Sequence, residues 1–273
     1  MRFSQVDVFS AHPLMGNPVA VVHDAGEVSE ETMRAFARWT NLSETTFLLP
    51  PTDEAADYRL RIFTPEEELP FAGHPTLGSA HAWLEAGGKP GEDGFVIQEC
   101  GAGLVRIRRG ERLEFAAPPL IRSGPVDDED RGRVLAALRL GEDDVVDMAW
   151  IDNGPGWVGV LLEDADRVLA LDPDWAAFDG LDIGVVGPRP AGKETAAEVR
   201  AFCPGLGITE DPATGSLHAG LAQWLAGDRL PTSYVAAQGT ALGRAGRVHV
   251  EVEGDTVWVA GDTLTTISGD VRL

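Results

Sequence analysis

Three short stretches of the chain hold residues that could do chemistry. Glu44 stands within residues 42–49, a run of hydroxyl and apolar side chains with no basic neighbour in sequence. A carboxyl group in such surroundings is partly desolvated, which raises its pKa toward the range used in general acid–base catalysis. A surface glutamate in a turn, or a capping residue, is the alternative reading. His74 follows Gly73 at the head of an Ala-rich apolar run, where a histidine can cap or pack as readily as it can act on a ligand. Asp211 and Ser216 enclose Pro212-Ala213-Thr214-Gly215 at the head of a second such run, a pattern that also suits plain N-capping of a helix.

The elements that position these residues are two matching helical runs, 71–84 and 212–225. Each opens with turn residues and continues as an apolar, Ala-rich helical pattern. Gly73 and Gly215 lie 142 positions apart (215 − 73), and the same offset sets Gly78 on Gly220 and Ala80 on Ala222. Such self-similarity points to an internal duplication. A helix start leaves backbone N–H groups without intrahelical partners, and the dipole there favours negative charge. Two such starts facing one cleft would hold an anionic ligand. Two ordinary core helices that begin with glycine remain the alternative.

The totals bound the remaining choices. The 273 residues suffice for one large domain or two of ordinary size, and an apolar content of 44% indicates a folded globular chain. With 22 Lys and Arg against 44 Asp and Glu, the formal net charge is −22. That argues against nucleic acid or an anionic membrane surface as partner, and an anionic substrate would need local compensation at its site. No apolar run approaches the roughly 18 residues of a membrane span. The opening residues lack a signal-peptide core and read as a first strand, and two cysteines, Cys100 and Cys203, are too few for a disulfide framework, so a cytoplasmic location is expected.

Along the chain, strands are expected at 3–9, 19–22, 58–63, 94–99, 104–109 and 112–116. A helix over 30–40 is capped by Ser29 and carries Met33, Phe36 and Ala37 on one face. Residues 64–70 read as a loop. Pro118-Pro119 marks a boundary, giving an N-terminal half of 1–118 and a C-terminal half of 119–261. The second half repeats the plan, with a helix over 129–140 and strands at 149–151 and 157–162. Val168 and Leu171 precede a short helix near Trp175. A loop leads into the second central helix, and strands at 234–238, 247–252, 256–261 and 263–268 close the chain. The expected class is α+β, two similar halves, each a curved, mostly antiparallel sheet wrapped on a central helix. Several other signals fail. In residues 187–194 a P-loop spelling lacks the Ser or Thr that would meet Mg²⁺ and carries two prolines, and the six histidines show no metal-ligand spacing.

Taken in order, several blocks resemble the phenazine-biosynthesis PhzF-like family of isomerases, within the diaminopimelate-epimerase superfamily. They are Val6-Asp7-Val8-Phe9 with Gly16-Asn17-Pro18, Asn41-Leu42-Ser43-Glu44-Thr45, Phe71-Ala72-Gly73-His74-Pro75-Thr76, Asp211-Pro212-Ala213-Thr214-Gly215-Ser216, and the closing Gln238-Gly239 and Gly269. The resemblance implies two barrel-like halves with the active site in the cleft, and lets residues 262–273 return to the N-terminal half. It further implies no cofactor, no metal and a homodimer. By it Glu44, His74 and Asp211 become the catalytic residues, and Asn17, Gly73, Gly215 and Ser216 bind the substrate. The epimerases and racemases of the superfamily carry a cysteine at each central helix start. Those places here are Ala72 and Thr214, which disfavours two-thiol racemisation. The implied activity is an isomerase that shifts a proton and a double bond in a small unsaturated, cyclic amino acid or carboxylate through Glu44. An epimerase or racemase of another small acid, and a non-catalytic ligand-binding protein on the same fold, are the alternatives.

Overall fold

The structure is a computed structural model and describes residues 1–206 and 208–273. The chain forms two compact units, one of Met1–Ala116 with Ala260–Leu273, the other of Ala117–Val259. The first contains β1 (Arg2–Val8), β2 (Asn17–Val22), α1 (Glu30–Thr40), β3 (Glu44–Leu49), β4 (Tyr58–Phe63), β5 (Glu68–Leu69), α2 (Gly73–Glu85), β6 (Phe95–Cys100), β7 (Gly103–Arg109) and β8 (Leu113–Ala116). Then follow β9 (Arg122–Pro125), α3 (Asp128–Leu138), β10 (Val145–Asp152), β11 (Trp157–Leu162), α4 (Ala165–Leu169), β12 (Asp182–Pro188) and β13 (Ala197–Cys203). They continue with β14 (Ile208–Asp211), α5 (Gly215–Leu225), β15 (Ser233–Gln238), β16 (Gly246–Glu253) and β17 (Thr256–Gly261). The last strand, β18 (Thr263–Asp270), belongs to the first unit.

In the first unit neighbouring strands run β18-β1-β2-β3-β4-β6-β7-β8, with short β5 beside β4. Among the pairs of described strands named there, β2/β3 and β4/β6 are the parallel ones. In the second, β9-β10-β11-β12-β13-β15-β16 follow the same plan, with β14 beside β13 and parallel pairs at β11/β12 and β13/β15. Strand for strand the connectivity repeats, so the duplication seen at Gly73 and Gly215 extends through each unit. Within it, β18 takes beside β1 the place that β9 takes beside β10.

Each sheet curls around its helix. α2 packs against β1, β2, β3, β6, β8 and β18, and α5 against β10, β11 and β16. A helix enclosed in this way must be small or internally hydrogen-bonded on every side, and α2 buries nine residues from Gly73 to Ala82, with Thr76 and Ser79 hydrogen-bonded to Gln98 and Thr46. Glycine sets the approach at matched positions. A Cβ on Gly78 would lie 2.4 Å from Val19 Cγ1, and one on Gly220 would lie 2.5 Å from the Ile151 carbonyl oxygen. The outer faces are covered separately. α1 starts where Ser29 Oγ accepts the Thr32 N–H and ends at left-handed Asn41. Its Met33, Phe36 and Ala37 pack on Val22, Phe47 and Phe63. Among the described residues no helix is long and apolar enough to cross a membrane.

Three local readings are corrected. Residues 64–70 include the short strand β5, and the chain before α5 includes β14. Val168 lies inside α4, whose five residues are capped by Asp164, and the turn at Trp175 is a single 3-10 turn. Arg122–Pro125, where the sequence shows no strand pattern, is strand β9.

Candidate active site

The N-terminal unit brings Asn17, Glu44 and His74 together. Asn17 opens β2 and Glu44 opens β3, two parallel strands paired Val19 to Glu44, so both side chains emerge at the same sheet end. The turn before Asn17 is tied by Asp7, whose carboxylate accepts the Met15 N–H at 2.9 Å and the Gly16 N–H at 3.1 Å. Gly16 is required there, because a Cβ would sit 2.1 Å from the Val8 carbonyl oxygen. Gly73 and His74 form the first turn of α2, which no side chain caps. Pro75 has no N–H to satisfy and fits that turn.

His74 Nε2 lies 3.4 Å from Glu44 Oε2. Asn17 joins His74 to the residue before Glu44, with Nδ2 3.4 Å from His74 Nδ1 and Oδ1 accepting the Ser43 hydroxyl at 3.3 Å. Among the described residues Glu44 Oε2 has no hydrogen-bond partner, although only 14% of the side chain is exposed. Burial pushes the Glu44 carboxyl up to about 7, with the Ser43 hydrogen bond acting weakly the other way. Such a group is part acid and part base near neutral pH, which suits proton transfer in both directions.

The C-terminal unit brings Asp211, Gly215 and Ser216 together around the start of α5. Asp211 ends β14, and Thr214 is the residue before the helix, which again has no side-chain cap. Ser216 is held twice. Trp157 Nε1 donates to its hydroxyl at 3.1 Å, and Asn153 Nδ2 donates to its carbonyl at 2.8 Å. The loop carrying Asn153 is pinned by Asp152 Oδ1, which accepts the N–H groups of Gly154 and Gly156. Because Trp157 can only donate, it occupies a lone pair of the Ser216 oxygen and leaves the hydroxyl hydrogen to be given to an acceptor. On β12, paired with Trp157, Asp182 has its carboxyl raised to about 7 by burial and by the charge of Asp152.

Ser216→Ala is therefore expected to lower stability by about 1–3 kcal/mol, because the buried Trp157 N–H would lose its acceptor. Urea unfolding checks this, and in a Trp157→Phe background the same replacement should cost much less. Equal costs in both backgrounds would mean that the bond contributes nothing.

The sequence reading assigns no role to Ser43, Asn153, Trp157 or Asp182. The one available signal was the turn-rich Asp152-Asn153-Gly154-Pro155-Gly156 run before an apolar strand. Ala72 and Thr214 are the residues before α2 and α5, while Cys100 and Cys203 sit on β6 and β13. Among the described residues no three His, Cys, Asp or Glu side chains gather as a metal site.

This geometry has relatives. A family model described as "Phenazine biosynthesis-like protein" matches residues 6–270. The chain is 38% identical to "Antisense-enhancing sequence 1" of Schizosaccharomyces pombe, over 98% of this chain and 97% of that protein. It is 37% identical to the trans-2,3-dihydro-3-hydroxyanthranilate isomerase of Pseudomonas aeruginosa, over 93% of this chain and 91% of that one. Among solved structures, the phenazine biosynthesis protein of the PhzF family from Enterococcus faecalis superposes with a TM-score of 0.81 at 26% identity, covering 100% of this chain and 99% of that one. The α+β architecture of two barrels around central helices is thus the family's own fold, and the chain is an isomerase belonging to the phenazine biosynthesis-like, PhzF family.

Proposed function

We propose that the chain moves a proton between carbons of a small unsaturated carboxylate and so shifts a double bond. Glu44 takes the proton from one carbon and returns it, or a solvent proton, to another. The observation that carries this reading is the buried Glu44 carboxyl, raised to about 7 by desolvation and 3.4 Å from His74 Nε2. One group can then serve as base and as acid within a turnover. The N–H groups at the starts of α2 and α5, around Gly73, His74, Gly215 and Ser216, suit the substrate carboxylate. Asn17, His74 and Asp211 orient its other polar groups. The absence of cysteine at Ala72 and Thr214 favours this reading over two-thiol epimerisation. The reading includes no cofactor, a cytoplasmic location and a homodimer.

The molecule named in the P. aeruginosa relative, trans-2,3-dihydro-3-hydroxyanthranilate, is the first substrate to test. After exhaustive chelation and dialysis, the protein should change its ultraviolet absorbance as the conjugated system moves, at the same rate as before chelation. Deuterium exchange at a stereocentre without an absorbance change, seen with another acid, would support the epimerase instead. Activity that returns only with an added metal or nucleotide would overturn the cofactor-independent mechanism.

A further inference from the structure

We propose that Gln238 and His218 are positioning residues: through Thr214 they fix Asp211 as a hydrogen-bond acceptor toward the substrate. The proposal rests on the reading above in which Asp211 contacts substrate. Gln238 ends β15 and is fully buried. Its amide uses all four hydrogen-bonding capacities. Oε1 accepts the Thr214 N–H at 3.0 Å and faces His218 Nε2 at 2.9 Å. Nε2 donates to the Asp211 carbonyl at 2.9 Å and to Thr214 Oγ1 at 2.9 Å.

Backbone groups fix the direction of every bond. The Thr214 N–H can only donate and the Asp211 carbonyl can only accept, so the amide cannot be turned over. His218 must therefore carry its proton on Nε2. Thr214 Oγ1 accepts from Gln238, so its own proton goes to Asp211 Oδ2, 2.5 Å away. The chain of donors runs one way, from His218 through Gln238 and Thr214, and ends on the Asp211 carboxylate. An Asp211 oxygen receiving that proton is held as an acceptor in one rotamer, which suits an amine or hydroxyl of the substrate and not its carboxylate. His218 has no exposure to solvent, and burial lowers its pKa to about 4, so the imidazole stays neutral and the direction persists across ordinary pH.

The N-terminal unit shows that the fold alone does not require this chain. There the strand after the central helix, β6, also carries a buried glutamine, Gln98. It donates to Thr76 Oγ1 at 3.0 Å and accepts the Tyr58 hydroxyl at 3.0 Å. Thr76 matches His218 at the 142 offset (218 − 142), but Gln98 joins Thr76 to Tyr58 of β4 inside the barrel. Only in the C-terminal unit does the glutamine reach the turn that holds Asp211.

Two measurements test the chain. In the assay with trans-2,3-dihydro-3-hydroxyanthranilate, Thr214→Val should raise KM about tenfold and leave kcat within about threefold, while Thr214→Ser, which keeps the hydroxyl, should stay near wild type. Gln238→Leu should resemble Thr214→Val, and the two together should be no worse than either alone, since they cut one chain. Equal KM for Thr214→Val and wild type, failure of Thr214→Ser to rescue, or multiplied effects in the double variant would overturn the proposal. Independently, nitrogen NMR of the histidine-labelled wild-type protein without ligand should show His218 neutral and protonated on Nε2 from pH 5 to pH 8. Protonation on Nδ1 overturns the chain even if the enzyme is active. An inactive wild type with the Nε2–H signature counts against the proposed substrate alone.

Discussion

Glu44→Gln is expected to lower turnover about 10²–10⁴-fold while leaving the fold intact, and to make the protein more stable above neutral pH. The amide keeps the size and place of the carboxyl but cannot take a proton from carbon. The stability gain follows from the carboxyl's environment. An ordinary glutamate titrates near 4.5, and burial raises Glu44 to about 7. Between those values the folded chain holds a proton that the unfolded chain has released. Stability from this group is therefore fully present below pH 4.5 and is lost as pH rises through 7. At about 1.4 kcal/mol per pKa unit, the accumulated cost above pH 7 is on the order of 3 kcal/mol. Glutamine carries no charge at any of these values. Urea unfolding should show the variant and wild type alike at pH 4.5, with the variant ahead by up to about 3 kcal/mol at pH 8. The wild-type kcat/KM should rise about tenfold per pH unit toward 7 and then level, as the base form fills. Glu44→Asp keeps the acid but withdraws it by one methylene, and should also turn over slowly. Wild-type turnover by Glu44→Gln would remove Glu44 from the mechanism. No stability gain at pH 8 would mean that the carboxylate is solvated in the folded protein.

Elements with their own punctuation were legible in the sequence. α1 carries a Ser29 cap and an apolar stripe, from which residues 30–40 were read as a helix, and the structure ends it at left-handed Asn41. The two glycine-led helices and their fixed offset marked the duplication, because close packing leaves small residues at matched places. Short elements were not legible. β14 and β9 have four residues each and α4 has five, lengths too short for a period to stand out, so that pairing or packing with a neighbour decides the conformation. The site divides in the same way. Glu44 stood out by its uncharged surroundings and His74 by its place at a helix start. Their proximity did not, since thirty positions separate them (74 − 44) and only the β2/β3 pairing and the docking of α2 bring them together. Gln238 was visible as one polar residue ending an apolar strand, but its role depends on four bonds to groups 20–27 positions away.

Two glycine substitutions in helices should move stability in opposite directions. Gly132, on the exposed side of α3, has nothing within 4 Å of where a Cβ would stand. Gly132→Ala should stabilise by about 0.5–1 kcal/mol, the helix-propensity difference between the two residues. Gly220→Ala gains the same term but brings a methyl group 2.5 Å from the Ile151 carbonyl oxygen. That oxygen belongs to backbone of β10 and cannot rotate away, so the helix and strand must separate. Overpacking of this kind costs about 1–3 kcal/mol, which exceeds the propensity gain over most of that range. The consequence reaches the site, because Asn153, two residues after Ile151, holds the Ser216 carbonyl one helical turn before Gly220. Pushing β10 off α5 loosens that bond, so Gly220→Ala should also weaken substrate binding, whereas Gly132→Ala should leave it unchanged. Thermal unfolding should separate the two variants by several degrees, at about 2–4 °C per kcal/mol for a chain of this order of size. A Gly220→Ala variant as stable as Gly132→Ala would show that α5 and β10 are not in the contact from which this prediction follows.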